Sequence, residues 1–227
     1  MRILRHFLVL WIAAAAGLSA ASLEEAKQLR LQGNLDAAQA MLQEVIANQP
    51  DFAQAHYELG GILIERKDLA GAEQEFTRVQ ELGAADLALI GQGRVRLAQE
   101  RAPEAKELFN RAQEQTPDAQ ALLDQIETAD SEEGKTAARA AADNFADLYY
   151  SRGLTNALLR DYAASAADLE TSIRLDPGNA KAHYYAGLAY NALKRPDMMV
   201  SHFQTFLTME PEGPEAARVR SVLGGVR

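Results

Sequence analysis

The residues of this 227-residue chain that could do chemistry are few and scattered. Four histidines are present, His6, His56, His183 and His202. His6 lies in an apolar N-terminal stretch. His56 and His183 fall at one position of an internal repeat, and neither has an acidic residue three or four places away to make it a base. His202 has no metal-binding companion one helical turn away. Gly91-Gln92-Gly93 opens like a phosphate loop, but Arg96 stands where the next glycine would be and no strand precedes it. Carboxylates such as Glu24, Glu25, Glu73 and Glu75 fall on faces that need charge for solubility, so no acid/base pair stands out. No serine has the setting of a nucleophile elbow. With no cysteine, disulfides, thiolate metal sites, a Cys nucleophile and a lipid-bearing N-terminal Cys are all excluded. The sequence predicts no catalytic residue, no metal and no cofactor, and the protein is read as non-enzymatic.

Charge narrows the partners. The formal net charge is −9, and an acidic surface repels phosphate backbones, so no nucleic acid is expected. No basic amphipathic stretch in the body of the chain suggests adsorption to anionic lipid.

The elements must therefore explain the chain. Arg2 and Arg5 precede an apolar stretch from Phe7 to Ala21, with small residues Ser19 and Ala21 at its end. The stretch is shorter than the roughly 20 residues a membrane-spanning helix needs. It reads as a secretory signal peptide over 1–21, cleaved before Ser22, which predicts a periplasmic or secreted protein with no integral span in the mature chain. An uncleaved N-terminal anchor facing outside the cytoplasm is the alternative.

A degenerate phrase recurs along the rest: Gly33-Asn34-Leu35-Asp36-Ala37-Ala38, Lys67-Asp68-Leu69-Ala70-Gly71-Ala72, Arg101-Ala102-Pro103-Glu104-Ala105, Arg160-Asp161-Tyr162-Ala163-Ala164-Ser165 and Lys194-Arg195-Pro196-Asp197-Met198-Met199. Its closing residue steps by 34 and 33 through positions 38, 72 and 105, and by 34 from 165 to 199. Ala26, Gly60, Gly93, Gly153 and Gly187 keep the same rhythm. Leu42, Phe76, Phe109, Leu169 and Phe203 follow each closing residue by four. Pro50, Pro117, Pro177 and Pro211 end units, because proline cannot continue a helix. Each unit reads as two short amphipathic helices in which a small residue lets the backbones approach and a large one fills the space toward the next unit. No single pair can hide its apolar face, so neighbours must stack.

These residues resemble the tetratricopeptide repeat family. Ala-Asp-Leu-Tyr-Tyr-Ser-Arg-Gly (146–153) and Ala-Lys-Ala-His-Tyr-Tyr-Ala-Gly (180–187) look like its first helix, and Leu-Asp-Pro-Gly-Asn (175–179) like its inter-repeat turn. The resemblance implies an all-α fold, a right-handed superhelical stack of antiparallel helix pairs with about five repeats. A closing helix follows Pro214, with Ala216, Val219, Val222 and Leu223 as its apolar stripe. The expected organisation is a three-repeat block over 22–117, an atypical helix and joint over 118–145, and a two-repeat block with the closing helix over 146–227. A degenerate sixth repeat within 118–145 is the competing reading. In the joint, 119–129 reads as a helix, 130–135 as a polar break, and 136–145 as an Ala-rich lead into repeat four.

The resemblance also implies a concave groove lined by the first helices. Its expected partner-binding residues are Tyr57, Ile64, Ile90, Arg94, Leu97, Tyr150, Leu154, Tyr184, Leu188 and Asn191. The basic residues are too scattered for the family's carboxylate clamp. An apolar, tyrosine-bearing groove suits an amphipathic helix or extended apolar segment of a protein or peptide partner. The predicted function is a scaffold or assembly factor of the cell envelope, with carriage of a small apolar ligand as the alternative. A groove filled by the chain's own joint or by a second copy in a homo-oligomer also remains open.

Overall fold

The computed structural model describes residues 21–115 and 119–225, and every regular element among them is an α-helix. The expected signal peptide over 1–21, apart from Ala21, which opens the first helix, and Pro117 lie outside the described residues. The helices are α1 (21–31), α2 (Leu35–Asn48), α3 (Ala53–Glu65), α4 (Leu69–Glu81), α5 (Ala85–Ala98), α6 (Ala102–Glu114), α7 (Ala119–Thr128), α8 (Glu132–Leu158), α9 (Tyr162–Leu175), α10 (Ala180–Ala192), α11 (Pro196–Met209) and α12 (Pro214–Gly225). They form two compact units. The first ends at Ala98 and the second begins at Gln99.

The repeat phrase is where each first helix turns into its second. Gly33, Lys67, Glu100, Arg160 and Lys194 all sit in the left-handed region, with φ of +77°, +64°, +62°, +62° and +56°. Only Gly33 enters it without steric cost; the other four accept a strain of about 1 kcal/mol to keep the turn tight. The next residue caps the second helix. Asn34, Asp68 and Asp161 each accept a hydrogen bond from the backbone N–H three residues on. Arg101 and Arg195 make no such side-chain bond, and there a proline in the first turn, Pro103 or Pro196, presets the backbone instead. At the far ends α2, α9 and α11 stop two residues before Pro50, Pro177 and Pro211.

In the first unit α3 packs on α2, α4 and α5, and α4 on α5. Leu23 and Ala26 of α1 join Ala38, Leu42, Val45, Ala55, Leu59 and Ile62 in one core cluster. The spacing of small and large residues has a direct cause. A Cβ on Gly60 would lie 2.6 Å from the Phe76 ring, and one on Gly91 would also collide with that ring. Phe76 therefore fills a slot between its own pair and the next, and is completely buried.

In the second unit α8 packs on α6, α7 and α9, α10 on α9 and α11, and α12 on α11. The same device returns: Gly187 leaves room for the Phe203 ring, and a Cβ on Gly153 would lie 2.8 Å from Leu169. The predicted joint is helical. The predicted helix over 119–129 is α7, ending at Thr128. The polar break is shorter than expected, because Ser131 accepts the Gly134 N–H and starts α8 at Glu132. The Ala-rich lead then runs unbroken into repeat four as a 27-residue helix. Ala216 and Val219 of α12 are buried against Tyr184, Phe203 and Phe206, with Val222 and Leu223 partly covered, as the stripe predicts.

Candidate interaction faces on the first helices

The first helices of the two units present different chemistry. In the first unit the face is ionic. Arg30 of α1 donates from Nη1 to Glu58 at 3.2 Å and from Nε to Glu65 at 2.6 Å, both on α3. Lys27 lies 4.0 Å from Glu58. Arg94 of α5 donates to the Tyr57 hydroxyl at 3.4 Å and stacks over its ring at 5.8 Å. Gly61 lies beneath this layer: a Cβ there would be 3.4 Å from a guanidinium nitrogen of both Arg30 and Arg94. Lys27, Arg30, Glu58 and Glu65 therefore bind one another across neighbouring first helices.

In the second unit the face is aromatic. Tyr150 of α8 meets Tyr185 of α10 edge-on at 6.1 Å, and Tyr185 meets Tyr184 edge-on at 5.1 Å. Tyr184 reaches inward, 5.3 Å from Phe206 and 6.3 Å from Phe203. Its hydroxyl accepts a hydrogen bond from Arg218 of α12 at 3.3 Å. Between α10 and α12 lies an open cavity of about 200 Å³, lined by Tyr184, Tyr185, Leu188, Pro214, Glu215 and Arg218. Burial first, then Tyr184 and Glu215, raise the Tyr185 phenol above its ordinary value of 10.0 against the pull of Arg218. A wider depression of about 570 Å³ runs along α4, lined from Ala70 to Glu81. One exposed helix face lines it, so nothing converges on a ligand there.

The sequence-predicted groove residues divide by accessibility. Ile64, Arg94, Leu97, Tyr150, Leu154 and Leu188 are half-buried and Asn191 is exposed. Tyr57 and Tyr184 keep 2% and 4% of their surface, and Ile90 keeps none. A partner reaches only groups that retain surface, so Ile90 serves packing and the two tyrosines support the face from beneath. Tyr185, Glu215 and Arg218 complete the cavity but were absent from the predicted set. Tyr185 holds a flanking position on its helix, and the other two lie on the closing helix, where no repeat register pointed.

Several charged groups beneath these faces are paired. Arg152 of α8 makes a bidentate pair with Asp168 of α9 at 2.9 and 2.6 Å, and Asn156 donates to the same carboxylate at 2.8 Å. Arg152 also donates to Asn110 and Gln113 of α6 and lies over the Tyr149 ring. The histidines have partners that the sequence did not reveal. His56 Nδ1 lies 2.6 Å from Glu75 and its Nε2 lies 3.1 Å from the Pro50 carbonyl. His202 meets His183, 19 residues earlier, Nδ1 to Nδ1 at 3.1 Å. Along each helix they have no such companion, and packing brings partners from α4, α9 and α11 across helices. Among the described residues no group of three or more His, Asp or Glu is arranged to hold a metal ion. Nor is any described helix long and apolar enough to cross a membrane.

Residues 23–86 and 159–197 match the tetratricopeptide repeat family model. The fold is the tetratricopeptide-repeat fold. Solved structures that share it include PilF of Pseudomonas aeruginosa, 14% identical over 93% of this chain and 86% of that one, with a TM-score of 0.58. A thermophilic tetratricopeptide-repeat protein of Thermus thermophilus is 17% identical over 90% and 98%, also at 0.58. PilW, a type IV pilus biogenesis factor, is 12% identical over 92% and 87%, at 0.57. No curated protein matches the sequence. Tetratricopeptide-repeat proteins generally serve protein–protein interaction and assembly. The matched stretches contain the turns at Lys67, Arg160 and Lys194 and the Gly60–Phe76 contact, so the match and the packing identify the same unit.

Proposed function

We propose that this protein is a non-enzymatic interaction module of the cell envelope that holds a polypeptide segment of a partner on the tyrosine face of its C-terminal unit. The carrying observation is the α10–α12 cavity beside the Tyr150–Tyr185–Tyr184 row. Its walls are aromatic and aliphatic, its rim carries Glu215 and Arg218, and rigid tyrosines give contact area at low entropic cost. Its size favours a polypeptide over the free small ligand of the alternative reading. Ligand sites for free small molecules run from about 300 to 1,000 Å³. About 200 Å³ suits one apolar side chain of a larger partner. The envelope assignment rests on Arg2, Arg5 and the apolar stretch to Ala21.

Purified chain with Leu188→Glu tests the face, with Thr77→Glu on α4 as the matched surface change. Partners captured from an envelope extract by wild type are lost, by about tenfold or more, with Leu188→Glu and kept with Thr77→Glu. Equal recovery by all three proteins contradicts the proposal.

A further inference from the structure

Three helices of the second unit meet at a polar cluster that the tyrosine face does not use. α9 contributes Glu170, α10 contributes His183 and Tyr190, and α11 contributes His202. Both histidines are buried. Glu170 Oε1 lies 3.0 Å from His202 Nε2 and accepts the Tyr190 O–H, also at 3.0 Å. The Tyr190 ring stacks on His202, 10° from parallel.

The protons follow from these contacts. The Glu170 carboxylate accepts, so His202 Nε2 carries hydrogen. A neutral His202 then has a bare Nδ1, which accepts from His183 Nδ1–H at 3.1 Å. One added proton fits: an imidazolium on either ring donates its Nδ1–H to the bare Nδ1 of the other, and Glu170 balances the charge. A second added proton does not fit. Both Nδ1 atoms would then carry hydrogen, facing each other across 3.1 Å, with two cations beside one carboxylate.

We infer that His183 and His202 form a shared-proton latch between α10 and α11, which closes while the pair holds at most one added proton and is forced open when it takes a second. Opening reaches the proposed docking face through neighbours in the chain. His202 precedes Phe203, whose ring packs on Gly187 and lies behind Tyr184, and His183 precedes Tyr184. The latch itself does not depend on what that face binds.

The direction of titration agrees. Burial first and His202 second hold the His183 imidazole below its ordinary 6.5, with Glu170 opposing. A histidine depressed in the fold is protonated first in the unfolded chain. Its contribution to stability is whole above about 6.5 and drains as pH falls below that value. Tyr190, pushed up to about 12 by burial and by its bond to Glu170, stays a hydrogen donor throughout. Arg195 and Asp197 at the start of α11 act on Tyr190, and Glu215 and Arg218 of α12 act on Tyr185. The cluster thus has one carboxylate for two rings. His56 has the opposite arrangement, an acceptor waiting at each ring nitrogen.

Hydrogen exchange of the full chain, corrected for intrinsic rates and stepped from about pH 7.5 to about pH 4.5, tests the latch, with side-chain nitrogen NMR of the histidines in parallel. Expected is an acceleration of about tenfold in 180–209, little change in 53–81, and one proton taken up by the pair before the other. His202→Gln, which leaves only His183 to titrate, should weaken the pH dependence of 180–209. Two independent ordinary titrations with unchanged protection of 180–209 would overturn the inference, and that readout on wild type stands even if the variant fails to fold.

Discussion

The two units share one backbone plan and differ in what coats their first helices. In the N-terminal unit Lys27, Arg30, Glu58 and Glu65 are tied to one another over Gly61. In the C-terminal unit Tyr150, Tyr185 and Tyr184 form a row that ends in an open cavity. The ionic face is already partnered internally, and displacing those pairs costs desolvation for little return. The aromatic face leaves apolar surface and a cavity in water, a state that contact with another chain relieves. The repeat therefore fixes architecture, and on the proposed reading the residues it leaves free decide which unit offers a docking face.

Breaking the shared plan should hurt both units alike. Phe76→Ala and Phe203→Ala each remove a fully buried ring wedged against glycine, and each should cost about 3–5 kcal/mol in denaturant unfolding. A loss confined to one of them would show that the slot is not common to both. The buried polar layer should separate the units. Asp168→Asn leaves Arg152 with a weakened partner inside the fold and should cost about 3 kcal/mol. Glu65→Gln removes one partner of Arg30, whose contacts are partly in water, and should cost under about 1 kcal/mol. Gly187→Ala should cost about 1–3 kcal/mol by pressing a methyl into Phe203, and a paired Phe203→Leu should recover part of it. The smallest effect belongs to the turns. Arg160→Gly relieves a left-handed residue and should raise stability by about 0.5 kcal/mol in a thermal melt, as should Lys67→Gly in the other unit.

The architecture was legible because each marker has one cause. Gly60, Phe76 and Gly187 recur where two backbones and a ring must share space, and Pro50, Pro177 and Pro211 where a helix must stop. The boundary at Ser131 was not, since a single side-chain cap overrode a polar run. Much of the candidate face could be read from register: Tyr150, Leu154 and Leu188 keep accessible surface in the second unit. Register fails where helices approach most closely. Ile90 has the spacing of a groove residue and is enclosed. Glu215 and Arg218 lie on a helix outside the repeat, and the pairing of His183 with His202 and Glu170 joins three helices. Contacts across helices leave no period along one chain, so no spacing rule could have found them.

On the proposed function, a partner segment lies on the tyrosine face of the second unit and not on the ionic face of the first. A photo-reactive amino acid placed at Leu188, and separately at the exposed Glu65, reads this directly in living cells. A discrete adduct with another polypeptide is expected from position 188, lost when Leu154→Glu is added, and none from position 65. An adduct from position 65 alone, or none from either position, would overturn the proposal.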